Sequence, residues 1–153
     1  MSSLYRPGRL RAFQALFEAE FGRVSAQAAL ERRQAEAPLA AADRRFAATI
    51  VAGVTQRRTE LDARIQEAAP AWPVDQLPTV DRTVLRLALF ELLFNNAAVP
   101  AGAVINEAVE LAKTYGSDAG RRFVNGVLGA LSRRRPPQAP PPEPETEEPR
   151  EPV

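Results

Sequence analysis

Residues 84–94 read VLRLALFELLF, a run that is apolar on most of its circumference when wound as a helix. A helix hydrophobic all round has to be surrounded by other elements. The rest of the chain must therefore supply a shell. Nearly every other segment repeats its apolar residues with the 3.6-residue helical period, and none shows sustained two-residue alternation bounded by hairpin turns. The expected fold class is all-α, with residues 84–94 inside the central helix.

The shell can be read segment by segment. A first helix is expected over residues 9–21, with Leu10, Phe13, Phe17 and Phe21 on one inward stripe and Gly22 closing it. A short second helix covers residues 26–35. Asp43 is the expected cap of a long third helix, whose inward face is Phe46, Ile50, Val51, Val54, Leu61 and Ile65 and which ends before Pro70. The prolines between Trp72 and Pro78 break the chain around a short helical turn, and Thr79 is placed to cap the central helix over residues 80–94. Pro100 opens the next helix, with Val104, Ile105, Ala108, Leu111 and Ala112 inward and Glu107, Glu110 and Lys113 outward. Gly116 ends it. Ser117 then caps a last helix carrying Phe123, Val124, Val127, Leu128 and Leu131, which runs to the arginines at 133–135.

Composition closes off most chemistry. The 153 residues include no cysteine and no histidine, so disulfides, thiolate nucleophiles, imidazole bases and nearly all zinc or haem sites are excluded. No phosphate-cradling glycine motif precedes Lys113, the sole lysine, and Glu107 with Glu110 read as an exposed polar face rather than a cation site. The expectation is a protein that is not an enzyme and needs no cofactor. No apolar run approaches the length of a membrane span and no secretory leader is evident, so a cytoplasmic location is expected.

The net charge of +1 hides an asymmetry. Residues 136–153 hold eight prolines, five glutamates and one arginine, and they are expected to form a disordered acidic tail; residues 1–5 are expected to be mobile. What remains, residues 1–135, has 19 basic and 14 acidic side chains, a net of +5 that suits a polyanionic partner. Three of those arginines, Arg6, Arg9 and Arg11, cluster on what reads as a short flexible arm entering the first helix. Guanidinium groups pair bidentately with phosphate and stack on unpaired bases. The pairs Arg44–Arg45 and Arg57–Arg58 read as solvent-facing charge. Phe123 sits at the edge of its apolar stripe between Arg122 and Gly126, where a partly covered ring would suit an intermolecular anchor or simply close the core. Phe17, in mid-stripe, reads as core.

Three stretches, in order, resemble the NusB family: RAFQALFEAEF near the start, VDRTVLRLALFEL over residues 80–92, and INEAVELAKTYG over residues 105–116 followed by FVNGVLGAL over residues 123–131. The resemblance covers roughly residues 6–133. It implies a seven-helix fold of two small bundles and a transcription antitermination factor. Such a factor binds single-stranded boxA-type RNA jointly with NusE, a small-subunit ribosomal protein, and joins NusA, NusG and RNA polymerase to support transcription of ribosomal RNA operons. Carried over by position, Arg6, Arg9, Arg11 and Phe17 would meet RNA, while Asp81, Asp118 and Phe123 would meet NusE. The chain departs from the family pattern at Pro7 and Gly8 inside the basic cluster, around the segment GSDAGRRF, and at Gly129. Two rival readings follow: a helical protein-protein adaptor without direct RNA binding, and a stand-alone relative of the NusB-like domain that precedes RNA cytosine methyltransferases. Against the second, no cofactor-binding glycine segment or catalytic cysteine follows residue 133.

Overall fold

The computed structural model describes residues 5–95 and 99–133, so the acidic tail and all of the expected mobile start except Tyr5 lie outside the described residues. Seven α-helices are found among them: α1 (Arg6–Ala19), α2 (Ala26–Glu36), α3 (Ala41–Gln56), α4 (Arg58–Ala68), α5 (Thr79–Phe94), α6 (Ala101–Tyr115) and α7 (Asp118–Arg133), with a 3₁₀ turn at Val74–Gln76 before α5. No strand occurs among the described residues.

Helices α1, α2 and α3 pack on one another, while α4, α6 and α7 gather around α5. Helix α5 also packs against α1 and α3 and so ties the two bundles together. The apolar run does what its circumference requires: between Asp81 and Leu92 every residue of α5 except Arg82 is buried. Close approach to this helix leaves no room for side chains opposite it. A Cβ on Gly53 would stand 2.0 Å from the Phe90 ring, which fixes glycine where α3 crosses α5.

The long third helix is in fact two. It breaks at Arg57, whose backbone (φ −109°, ψ 19°) leaves the α region, and the two halves serve different bundles. Val54 and Leu61 are seven residues apart, two helical turns, so the apolar stripe keeps its phase through the break and hides it from a periodicity argument. Tertiary packing, not a glycine or proline, turns the chain. At the break Arg57 lies over the Phe94 ring, 4.1 Å from its centroid, so one of the supposed solvent charges is stacked.

Three helix starts also differ from expectation. Helix α1 begins at Arg6, with Pro7 in its first turn and Tyr5 in the left-handed region (φ 63°), so the basic cluster is the first turn of a helix and not an arm. The Tyr5 ring stacks on Phe46 at 4.5 Å. Asp43 lies three residues inside α3, which starts after Ala40, and spends its carboxylate on the Gly8 backbone N–H at 3.1 Å. A Cβ at Gly8 would come 2.6 Å from the Asp43 carbonyl oxygen, so glycine there lets α1 rest directly on α3. Pro78, not Thr79, precedes α5. Ser117 does cap as expected, its Oγ accepting from the Gly120 N–H at 2.9 Å. Phe21 lies past the end of α1 and is 62% exposed, because Gly22 (φ 79°) turns the chain away before the stripe can be completed. Glu107, expected outward, is buried on α6.

Candidate nucleic-acid interface

The three arginines of α1 occupy three environments. Arg9 is 1% exposed and forms a two-pronged ion pair with Glu91 of α5, Nε to Oε2 at 2.7 Å and Nη2 to Oε1 at 2.6 Å. Its guanidinium also lies over the Phe46 ring at 5.0 Å. Burial pushes the Glu91 carboxyl up, and the hydrogen bond from Arg9 works against that. Such a cation is not offered to phosphate. Arg9, which the family resemblance gave to RNA, lies buried beneath α1, where it ties the two bundles together.

Arg6 keeps 63% of its side chain exposed while gripping Glu107 of α6, Nη2 to Oε2 at 2.8 Å. That hydrogen bond, followed by the Coulomb attraction of Glu107, raises the Arg6 pKa. Arg11 donates to the Ala37 carbonyl at 2.7 Å and to Gln34 Oε1 at 3.4 Å, and stays half-buried beside the α2–α3 connection. Arg44 and Arg45, one and two residues beyond the Asp43 that holds Gly8, are exposed and have no ion pair among the described residues. Arg6 and Arg11 thus remain partly open to solvent on α1, and Arg44 and Arg45 add exposed charge on α3.

Next to this charge runs a row of rings. Phe17 is half-buried and meets Phe21 edge-on at 5.2 Å and Phe13 at 5.7 Å; Phe13 in turn meets Tyr115 of α6 at 5.3 Å. The ends of the row are open, Phe21 at 62% and Tyr115 at 46% exposure. Tyr115 and Arg6 line one cleft of about 190 Å³ with Leu10, Thr114 and the carboxylates of Glu107 and Glu110. Aromatic faces flanked by guanidinium groups are the surface on which unpaired bases stack. Sequence reasoning missed both ends. Tyr115 carried a usable signal, since it ends a helix beside Gly116, but Phe21 was assigned to the core by its spacing.

The second group lies on and near α7. Asp118 is exposed and pairs with two residues of its own helix, Arg121 at 2.7 Å and Arg122. Hydrogen bonds from Arg121 and then Arg122 hold its carboxyl below the usual aspartate range. Phe123 is partly buried, and its ring meets Trp72 edge-on at 6.2 Å and 73°. Beside this pair opens a shallow apolar pocket of about 370 Å³ between the end of α4 and the face of α7, floored by Ala68, Ala69, Gly126 and Val127. Trp72 is 58% exposed and was not singled out in the sequence, since a proline-flanked loop aromatic has no period to read.

Asp81 is not with them. It is buried in the first turn of α5, and its oxygens stand where a Cβ on Gly120 would come, 2.5 Å and 2.8 Å away. Burial raises its pKa. Asp81, which the family resemblance gave to NusE, thus packs against the start of α7.

Comparison with known proteins agrees with this architecture. The NusB family pattern matches residues 6–133. The chain is 50% identical over 127 residues to the transcription antitermination protein NusB of Chloroflexus aggregans, covering 82% of this chain and 85% of that one. It is 47% identical over 135 residues to the NusB of a Roseiflexus species, covering 88% and 95%. Among solved structures, NusB of T. maritima superposes with a TM-score of 0.82 at 34% identity, over 90% of this chain and 96% of that one. A chain from a crystal structure of antitermination factors NusB and NusE in complex with double-stranded RNA superposes with a TM-score of 0.76 at 27% identity, over 85% of this chain and 97% of that one. By sequence over most of its length and by the order and packing of its helices, this chain belongs to the NusB family.

Proposed function

We propose that this protein is a transcription antitermination factor that binds boxA-type single-stranded RNA together with NusE, and so supports processive transcription of ribosomal RNA operons. The observation that carries the reading is the likeness, across 85% of the chain, to a chain from a complex of NusB and NusE with double-stranded RNA. Two surfaces divide the work. Arg6 and Arg11 meet phosphates and Phe17 meets a base on the α1 side, while Asp118 and Phe123 on α7 meet NusE. The assembled complex then joins NusA, NusG and RNA polymerase in the cytoplasm, and no helix among the described residues is long and apolar enough to cross a membrane. The protein acts by binding and not by catalysis, as its antitermination relatives do.

The test is RNA anisotropy at two salt concentrations, with and without NusE, using boxA-like, scrambled and double-stranded RNA. Tight binding of the boxA-like strand only with NusE present is the expected result, with a log-log salt slope of about −0.7 per phosphate neutralised. If boxA-like RNA gains no more from NusE than scrambled RNA does, the reading fails. Preference for the double-stranded probe would overturn its single-strand part.

A further inference from the structure

The pocket between α4 and α7 is apolar and open, and arginines occur near its lining residues along both helices. Trp72 and Phe123 stand nearly perpendicular at its mouth. Arg64 lies one helical turn before the lining residue Ala68, Arg122 one turn before Gly126, and Arg133 two turns after Gly126 on the same side of α7. Arg64 and Arg133 have no ion pair among the described residues, while Arg122 pairs with Asp118. Aromatic-lined grooves receive proline-rich strands, because a polyproline II segment arrives already extended and has little conformational entropy left to lose.

The chain carries such a ligand. Residues 136–153 contain eight prolines, three of them consecutive at Pro140, Pro141 and Pro142, followed by five glutamates from Glu143 to Glu151. We propose that this pocket receives the chain's own proline-rich C-terminal segment, with Pro140–Pro142 against Trp72 and Phe123 and the following glutamates toward Arg64 and Arg133. The reach is sufficient. Ten residues of α7 separate Phe123 from Arg133, about 15 Å at 1.5 Å per residue. Pro140 follows Arg133 by seven residues, about 22 Å at 3.1 Å per residue in an extended strand. Tethering also gives the segment an effective concentration near the millimolar range, so a weak intrinsic contact is enough. The charges complement one another in sign: Arg64 and Arg133 lie near the pocket along α4 and α7 without an ion pair among the described residues, and the segment holds five acidic residues to one basic. This inference does not depend on the RNA-binding reading, and the docked segment competes with NusE for Phe123.

The sequence supplies its own probes, one tryptophan and no cysteine. In the intact chain a spin label attached through Thr146→Cys is expected to attenuate the Trp72 indole resonance and the Gly126 amide selectively. Replacing Pro140, Pro141 and Pro142 together by serine is expected to restore both signals and to shift Trp72 fluorescence to the red. Attenuation that is absent, or uniform over the surface, overturns the proposal. So does selective attenuation that survives the serine replacements. A mixture of isotope-labelled chain without the spin label and unlabelled chain carrying it reports contact between copies; attenuation of equal size there assigns the pocket to a neighbouring molecule and overturns the intramolecular docking.

Discussion

Helices α1 and α7 both begin with a charged turn, and they use it in opposite ways. In α1 every arginine of the first two turns reaches another element: Arg6 to Glu107 on α6, Arg9 to Glu91 on α5, Arg11 to the carbonyl of Ala37 after α2. In α7 the charges fold back on their own helix, Arg121 and Arg122 to Asp118, three and four residues away. The first arrangement stitches the fold together and leaves only part of its charge for a partner. The second does almost nothing for the fold and leaves its side chains free. Charge near a helix start thus says little about function until the sequence distance to its partner is known.

Arg9→Ala would test this comparison most severely. Removing the guanidinium leaves the Glu91 carboxylate buried without its partner, a loss of about 3–5 kcal/mol and a fall in Tm of roughly 10 °C or more. Circular dichroism melting measures it. A variant that melts within about 2 °C of the parent but loses RNA would return Arg9 to the binding surface and undo the contrast.

The next effect tests the support beneath α7. In Gly120→Ala the new methyl group meets the Asp81 carboxylate, an overpacking that costs about 1–3 kcal/mol against roughly 1 kcal/mol gained in helix propensity. A net loss is expected, and adding Asp81→Ala should recover most of it, since the two changes share one contact. Additive losses in chemical denaturation would show that Asp81 does not carry the start of α7.

Much of this was legible in the sequence because it followed from period. The all-helical class, the central burial of residues 84–94 and the Ser117 cap all came from spacing or residue type. What stayed hidden depended on contacts between distant elements. The break at Arg57 preserves the apolar phase, so no local signal marks it. The partners of Arg9 and Arg6 lie 82 and 101 residues away in the chain, and nothing in the cluster of residues 6–11 distinguishes a buried arginine from an exposed one. Asp81 shows the same limit: its position in the family motif was readable, but its burial under Gly120 was not. Phe123 was weighed evenly between core and anchor, and it lies between them, partly covered and touching Trp72.

Smaller effects sharpen the comparison at the surface. Arg6→Ala should lower Tm by less than Arg9→Ala does, because the Arg6 side chain is largely solvated even though the Glu107 it pairs with is buried. RNA binding with NusE should nevertheless weaken, and its salt slope should become shallower by about 0.7. The double variant Arg121→Ala/Arg122→Ala should leave Tm within about 1 °C of the parent. A drop as large as that of the Arg9 variant would mean that α7 is stitched into the fold as firmly as α1.

The smallest difference lies in acid titration, and its sign can be worked out. Glu18 of α1 is held at about 2 by hydrogen bonds from Arg32, the larger cause, and Arg33, both on α2, while its ordinary value is about 4.5. Asp118 is likewise held below its ordinary 3.8, but by its own helix. Both folded pKa values are depressed, so each group contributes stability that is fully present above its unfolded pKa and is lost as pH falls through the folded one. For Glu18 that window runs from about 4.5 down to about 2. Glu18→Gln should therefore flatten the acid side of the melting profile in that window, because its partners belong to a second helix and separate on unfolding. Asp118→Asn should leave the profile nearly unchanged, since pairs three and four residues apart persist in fluctuating helical turns of the unfolded chain. Carboxyl titration followed by NMR should still find both groups below their ordinary values. Equal flattening in the two variants would mean that sequence distance between partners does not decide what a surface charge contributes.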